Sequence, residues 1–167
     1  MISRSAMPCA QTTHVPFASL VLLAVAIAVT GHAAENSPSV WSAKWIWRNQ
    51  ADCHAYNQTV IARKQFQLDK PASGRLRITA DSYYRLYVNG TWVNDGPSRC
   101  WPEHFQYDEL DVGSYLRDGA NEIRVIARYY GVGDFHRVPK QAGLLAQLEA
   151  IHADGNSVTI ATDDSWE

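Results

Sequence analysis

Arg75-Leu76-Arg77-Ile78-Thr79-Ala80-Asp81-Ser82-Tyr83-Tyr84-Arg85-Leu86-Tyr87-Val88-Asn89-Gly90-Thr91-Trp92-Val93 carries the clearest architectural signal in the chain. Strict alternation sends Leu76, Ile78 and Ala80 to one face and Arg75, Arg77 and Thr79 to the other, the period of a half-buried strand. Tyr83–Val88 reads as a second strand. Asn89-Gly90 suits a type I′ turn, whose two central residues both need positive φ, so Thr91–Val93 returns beside it.

The same signal repeats outward in both directions. Thr59–Leu68 puts Val60, Ala62, Phe66 and Leu68 on one face, with Lys64 interrupting the apolar set in the manner of an edge strand. Ala72-Ser73-Gly74 is expected as a turn, and the first strand is expected to begin in Trp41–Trp47, with Trp45 and Trp47 facing the same way into the core or a neighbouring domain. Further along, Phe105–Leu110 re-enters the sheet, Val112–Leu116 forms a short helical turn, and Glu122–Tyr129 turns Ile123, Val125 and Ala127 inward. Gly143–Ala150 and Ser157–Thr162, joined by the turn Asp154-Gly155-Asn156, form a closing hairpin. Asn94–His104 and Gly131–Pro139 are rich in Gly, Pro and Asp and read as ordered loops. Seven or eight short strands without a long amphipathic helix predict an all-β, antiparallel β-sandwich.

The chain has 167 residues, and residues 1–34 carry the features of a secretory signal peptide. The apolar run Phe17–Val29 would rise only about 20 Å as a helix, short of a hydrocarbon core of about 30 Å, so a cleaved leader is favoured over a permanent membrane insertion. Gly31-His32-Ala33 places small residues where a signal peptidase reads, and cleavage is expected after Ala33 or Ala34. The expected location is secreted or periplasmic. Residues 35–40 form a short linker and 41–167 the sandwich. Past residue 34 the chain carries 14 Lys and Arg against 17 Asp and Glu, which disfavours a nucleic-acid binder. Cys53 and Cys100 would stand in an oxidising compartment, either bonded to each other or as two reduced thiols. Asp163–Glu167 follows directly on a strand and leaves Trp166 one residue from the end, which suggests a chain cut before a further domain.

The combination of Trp45-Ile46-Trp47, Arg63–Phe66, Ala80-Asp81, Leu86-Tyr87-Val88-Asn89-Gly90, Gly96-Pro97, Tyr107-Asp108, Tyr115-Leu116, Gly119–Glu122, Gly143-Leu144 and Thr162–Trp166 resembles the non-catalytic N-terminal β-sandwich region of bacterial α-L-rhamnosidase-like glycoside hydrolases. The resemblance covers nearly all residues from 41 onward. It implies a galactose-binding-like jelly roll that packs beside other domains and assists substrate placement. It also implies a catalytic centre in a separate α/α barrel whose acidic residues match no position here, so no catalytic residue is carried over. The implied partners are a rhamnose-containing carbohydrate and a C-terminal catalytic domain of the same chain. Two alternatives stand beside this reading: a stand-alone carbohydrate-binding module and a structural interaction domain.

Sugar binding needs an aromatic face against the apolar side of a ring and polar groups around its rim. Trp92, Trp101, Glu103, His104, Asp134, His136 and Arg137 supply that chemistry and are the candidate carbohydrate-binding residues. Asp81, Asp95, Glu103, Asp108 and Asp134 offer carboxylates, but loop ordering is the simpler role for them than the facing acid pair that glycoside hydrolysis requires. The histidines have no tight metal-ligand spacing and no phosphate-cradling loop is present, so no metal and no cofactor are expected. Asn57-Gln58-Thr59 and Asn89-Gly90-Thr91 match the N-glycosylation rule, with the turn a sufficient reason for Asn89.

Overall fold

The structure, a computed structural model, describes residues 40–48, 56–98, 104, 106–133, 138 and 141–167. The leader and most of the linker, with Cys53 and Cys100, lie outside the described residues. Among the described residues eight strands follow in order: β1 Gln58–Leu68, β2 Pro71–Ala80, β3 Tyr83–Val88, β4 Thr91–Gly96, β5 Asp108–Asp111, β6 Gly119–Tyr129, β7 Leu144–His152 and β8 Ser157–Ala161. They form two four-stranded sheets, β1-β6-β3-β4 and β5-β2-β7-β8, in which every neighbouring pair is antiparallel. The one short helical element among the described residues is a 3-10 turn at Gly113–Tyr115, inside the segment expected to turn.

The period-two pattern explains the core. Leu76, Ile78 and Ala80 of β2 and Leu144, Ala146, Leu148 and Ala150 of β7 meet Tyr84, Leu86 and Val88 of β3 and Ile123, Val125 and Ala127 of β6, all buried. Each Leu, Ile or Val so enclosed contributes about 1.5–3 kcal/mol relative to exposure, which makes this inner layer the main reason the sheets stay together. Asn89 and Gly90 have φ of 51° and 80°, as the type I′ turn requires.

Two local expectations are corrected. Ala72-Ser73-Gly74 is not a turn but part of β2, with a register shift between Pro71 and Ser73. The chain turns earlier, where Lys70 takes a φ of 42°. Gly74 serves close packing: a Cβ there would stand 2.5 Å from Leu116 Cδ1. Trp41–Trp47 is not a strand either. Only Ile46 makes a ladder pair, with Leu144, because β8 already occupies the edge of β7 from Gln147 to Ile151.

Val40–Trp47 is instead a strap along the second sheet. Gln147 Oε1 accepts from Ser42 N at 2.8 Å, Lys44 N donates to Thr162 O at 2.8 Å, and Trp41 lies over the Arg77 guanidinium at 4.7 Å. Arg77 and Thr79 do point away from the core as their alternation predicts, yet this cover buries both. Arg77 is only 1% exposed and is paired with Glu149 at 2.6 Å, as a buried cation requires. Trp47 packs on Tyr129 at the sandwich end, while Trp45 stays 48% exposed above Gly143.

Trp166 packs against the core and donates from Nε1 to Ala161 O at 2.9 Å, so the sandwich itself accounts for its apolar side chain. No described helix is long and apolar enough to cross a membrane.

Candidate functional site

β3 and β4 build an aromatic and ionic cluster on the outer face of the first sheet. Trp92 and Asp95 are three residues apart and would face opposite ways in a regular strand. A register shift between Leu86 and Tyr87, which pair with Asn94 and Trp92, leaves Val93 as an extra residue and returns both side chains to the same face. Asp95 Oδ1 then accepts from Trp92 Nε1 at 3.0 Å and from Arg85 Nε at 2.8 Å, while its Oδ2 accepts from Arg85 Nη2 at 2.8 Å. The two-pronged Arg85 bond is the main cause that holds the Asp95 carboxyl well below the ordinary carboxylate range. Partial burial opposes it, and bonds from Trp92 and Tyr83 assist. Tyr83 is shifted upward, by burial first and by its bond to Asp95 second. Trp92 is thus held by its indole N–H while its ring remains 55% exposed.

The register places the feet of the two candidate loops at one end of the sandwich. The segment after β4 leaves at Gly96, opposite Tyr84, and re-enters at Asp108, opposite Ile78. The segment after β6 leaves beyond Tyr129 and re-enters at Leu144, opposite Ala80. Tyr84 joins the feet of the first loop: its hydroxyl donates to Asp108 Oδ2 across the sheets and accepts from Asn94 Nδ2 at 2.9 Å. Burial, then the Asp108 bond, raises the phenol above its ordinary range. Gly96 is required here by crowding, since a Cβ would lie 2.2 Å from Asp108 Oδ2 and 2.7 Å from Tyr84. Thr79 Oγ1 donates to Gln106 O at 2.8 Å, and Tyr107 meets Trp41 edge-on at 5.3 Å. Ser82 Oγ accepts from Tyr130 N at 3.1 Å at the foot of the second loop.

Of the candidate carbohydrate-binding residues, Trp92 and His104 are described. His104 is exposed in the first loop, and Trp92 stands on β4 within the expected returning strand, while the loop expected from Asn94 begins only after Gly96 because β4 stays paired with β3 up to Tyr84. Trp101, Glu103, Asp134, His136 and Arg137 lie outside the described residues. Among the described residues no three His, Cys, Asp or Glu are grouped to hold a metal ion. Asn89, one of the two glycosylation matches, is engaged structurally: Nδ2 donates to Tyr115 O and Asn121 Oδ1, each at 2.8 Å, and Oδ1 accepts from Glu122 N. The partnership of Tyr83, Arg85 and Asp95 with Trp92 was missed in the sequence. Alternation alone puts Tyr83 and Arg85 outward, but Asp95 joins them only through the bulge.

Residues 69–167 match the family model described as the alpha-L-rhamnosidase N-terminal domain. The chain belongs to that family. An alpha-L-rhamnosidase of Streptomyces avermitilis is 33% identical in an alignment 149 residues long that covers 82% of this chain and 14% of that protein. The GH78 family rhamnosidase of Bacillus sp. GL1 superposes with a TM-score of 0.66 at 40% identity, over 75% of this chain and 13% of its own. The S. avermitilis alpha-L-rhamnosidase structure, complexed with L-rhamnose, gives a TM-score of 0.51 at 30% identity, over 66% of this chain and 12% of its own. A lectin of Pleurotus ostreatus, at 21% identity and a TM-score of 0.57 over 75% of this chain and 35% of its own, shares the fold. This chain therefore spans about a seventh of the rhamnosidase relatives, and this rhamnosidase N-terminal domain is an all-β sandwich as its alternation predicted.

Proposed function

We propose that the chain is the N-terminal accessory domain of an exported α-L-rhamnosidase-like glycoside hydrolase. In this reading it packs beside a catalytic domain supplied by the rest of a longer chain and helps to place rhamnosylated glycans without cleaving them. The observation that carries it is the family match over residues 69–167, in relatives of which this chain spans only 14%. Carbohydrate contact is assigned to the Trp92 ring and to the loop residues Trp101, Glu103, His104, Asp134, His136 and Arg137. The fixed indole supports this assignment, because a ring already held in an exposed pose loses little freedom when a sugar stacks on it.

Calorimetry against L-rhamnose, galactose and rhamnosylated oligosaccharides tests the reading. Saturable binding of the rhamnosyl ligands, weakened at least tenfold in Trp92→Ala, is the expected result. Absence of binding leaves domain packing as the role. Hydrolysis of an aryl α-L-rhamnoside in proportion to the concentration of this chain would overturn the placement of catalysis elsewhere. The exposed Trp92 also favours a second reading, a self-contained carbohydrate-binding module, which predicts the same binding and a gene that closes after codon 167.

A further inference from the structure

The outer edge of β1 carries a half-built strand pairing. Arg63 N donates to Glu167 O at 2.8 Å and Glu167 N donates to Arg63 O at 3.0 Å. Two bonds exchanged between one pair of residues are the mark of an antiparallel ladder. Side-chain contacts hold that pair in place: the Arg63 guanidinium pairs with the Glu167 carboxylate, and Lys64 Nζ donates to Ser165 Oγ in the turn just before it.

Because Arg63 bonds outward, its facing with Arg124 of β6 is a non-hydrogen-bonded one. The same parity holds for Ile61 with Ile126 and Thr59 with Arg128. The N–H and C=O of Ile61 and Thr59 therefore also point to the free edge, and none of the described residues outside the sheet bonds them. Ile61 is 62% exposed, with Ile126 half-buried at its side. The opposite face of the molecule differs, since the strap covers the second sheet there.

We propose that the β1 edge at Ile61 and Thr59 takes up an extended strand, antiparallel to β1 and in register with the Glu167–Arg63 pair, and that the chain following Glu167 supplies it. This rests on the reading above that the chain is the front of a longer protein. In that register the second residue beyond Glu167 stands opposite Ile61 and the fourth opposite Thr59. Cross-strand neighbours on one face interact, so the residue opposite Ile61 is apolar. The added strand makes the first sheet five-stranded and removes an exposed edge that would otherwise invite pairing with other chains.

The test begins with the gene beyond codon 167 and uses its full-length product. Amide hydrogen exchange at Ile61 and Thr59 is expected to be at least tenfold slower in that product than in the 167-residue chain. Ile61→Pro removes the outward N–H and no β1–β6 bond, as an edge strand tolerates. It is expected to return Thr59 to fast exchange in the full-length product and to change the urea midpoint of the 167-residue chain little. Equal exchange rates in a full-length product that hydrolyses aryl α-L-rhamnosides would overturn this inference and leave the accessory-domain reading intact. A reading frame that closes after codon 167, or a full-length product inactive on rhamnosides, would overturn that reading and the proposed occupant with it.

Discussion

Replacing Tyr84 by phenylalanine removes one oxygen from a fully buried side chain and leaves its ring in place. The oxygen donates to the Asp108 carboxylate and accepts from the Asn94 amide. A hydrogen bond to a charged group contributes about 1.5–3 kcal/mol net and a neutral one about 1 kcal/mol. Asp108 and Asn94 are only partly buried, so water re-solvates them in part, and the loss should be about 2 kcal/mol. For a domain of this size that lowers the melting temperature by roughly 6 °C. Urea denaturation followed by Trp fluorescence measures it, with an unchanged slope indicating that compactness is kept. Asp108→Asn, which retains an acceptor oxygen and loses the charge, should cost about half as much. Amide exchange at Gln106 and Tyr107 should quicken in Tyr84→Phe, because Asp108 anchors the returning foot of the loop. A loss below about 0.5 kcal/mol with unchanged exchange there would refute the role of Tyr84 as the link between β4 and β5.

Gly96→Ala should destabilise by about 2–3 kcal/mol, since the new methyl group collides with Asp108 and the Tyr84 ring in a site without slack; urea midpoints measure it. Asn121→Ala should cost about 3 kcal/mol by the same assay, because the buried amide bonds Arg117 O and Gly119 O through Nδ2 and accepts from Arg117 N and Asn89 at Oδ1. For Asp95 the folded state holds the carboxyl below its ordinary value, so the unfolded chain binds the proton more readily. Its stabilising contribution is present above the ordinary Asp value near 4 and declines as pH falls toward the lower folded value. The carboxyl resonance of Asp95 should therefore stay that of a carboxylate at pH 4, and in Arg85→Ala it should titrate closer to the ordinary range.

Alternation was enough to place β2, β3 and β6, because a sheet with one buried face writes its period into the order of apolar residues, whereas the hairpin β7–β8 was placed by its short segments and the Asp154-Gly155-Asn156 turn between them. The Asn89-Gly90 turn was legible for a similar local reason, the demand for two positive φ angles. Trp41–Trp47 was misread as a strand because its Trp and Ile residues suit a sheet, while the edge it would have joined is taken by β8. Gly74 was misread as a turn because sequence does not distinguish a glycine needed for φ from one needed to admit Leu116.

The sandwich, its inner faces and the family were legible from the amino acids alone, since these rest on period, turn chemistry and a set of residues spread over most of the chain. What the outward residues do emerged only from the folded arrangement. Arg77 became a buried cation beneath Trp41, Trp92 was fixed by Asp95 across a bulge, and Glu167 was seated on the edge of β1. Each of these depends on which distant segment lies alongside, and the Trp92 contact also on a one-residue shift in register, and those are settled by the packing of the whole sandwich and not by any local run of residues.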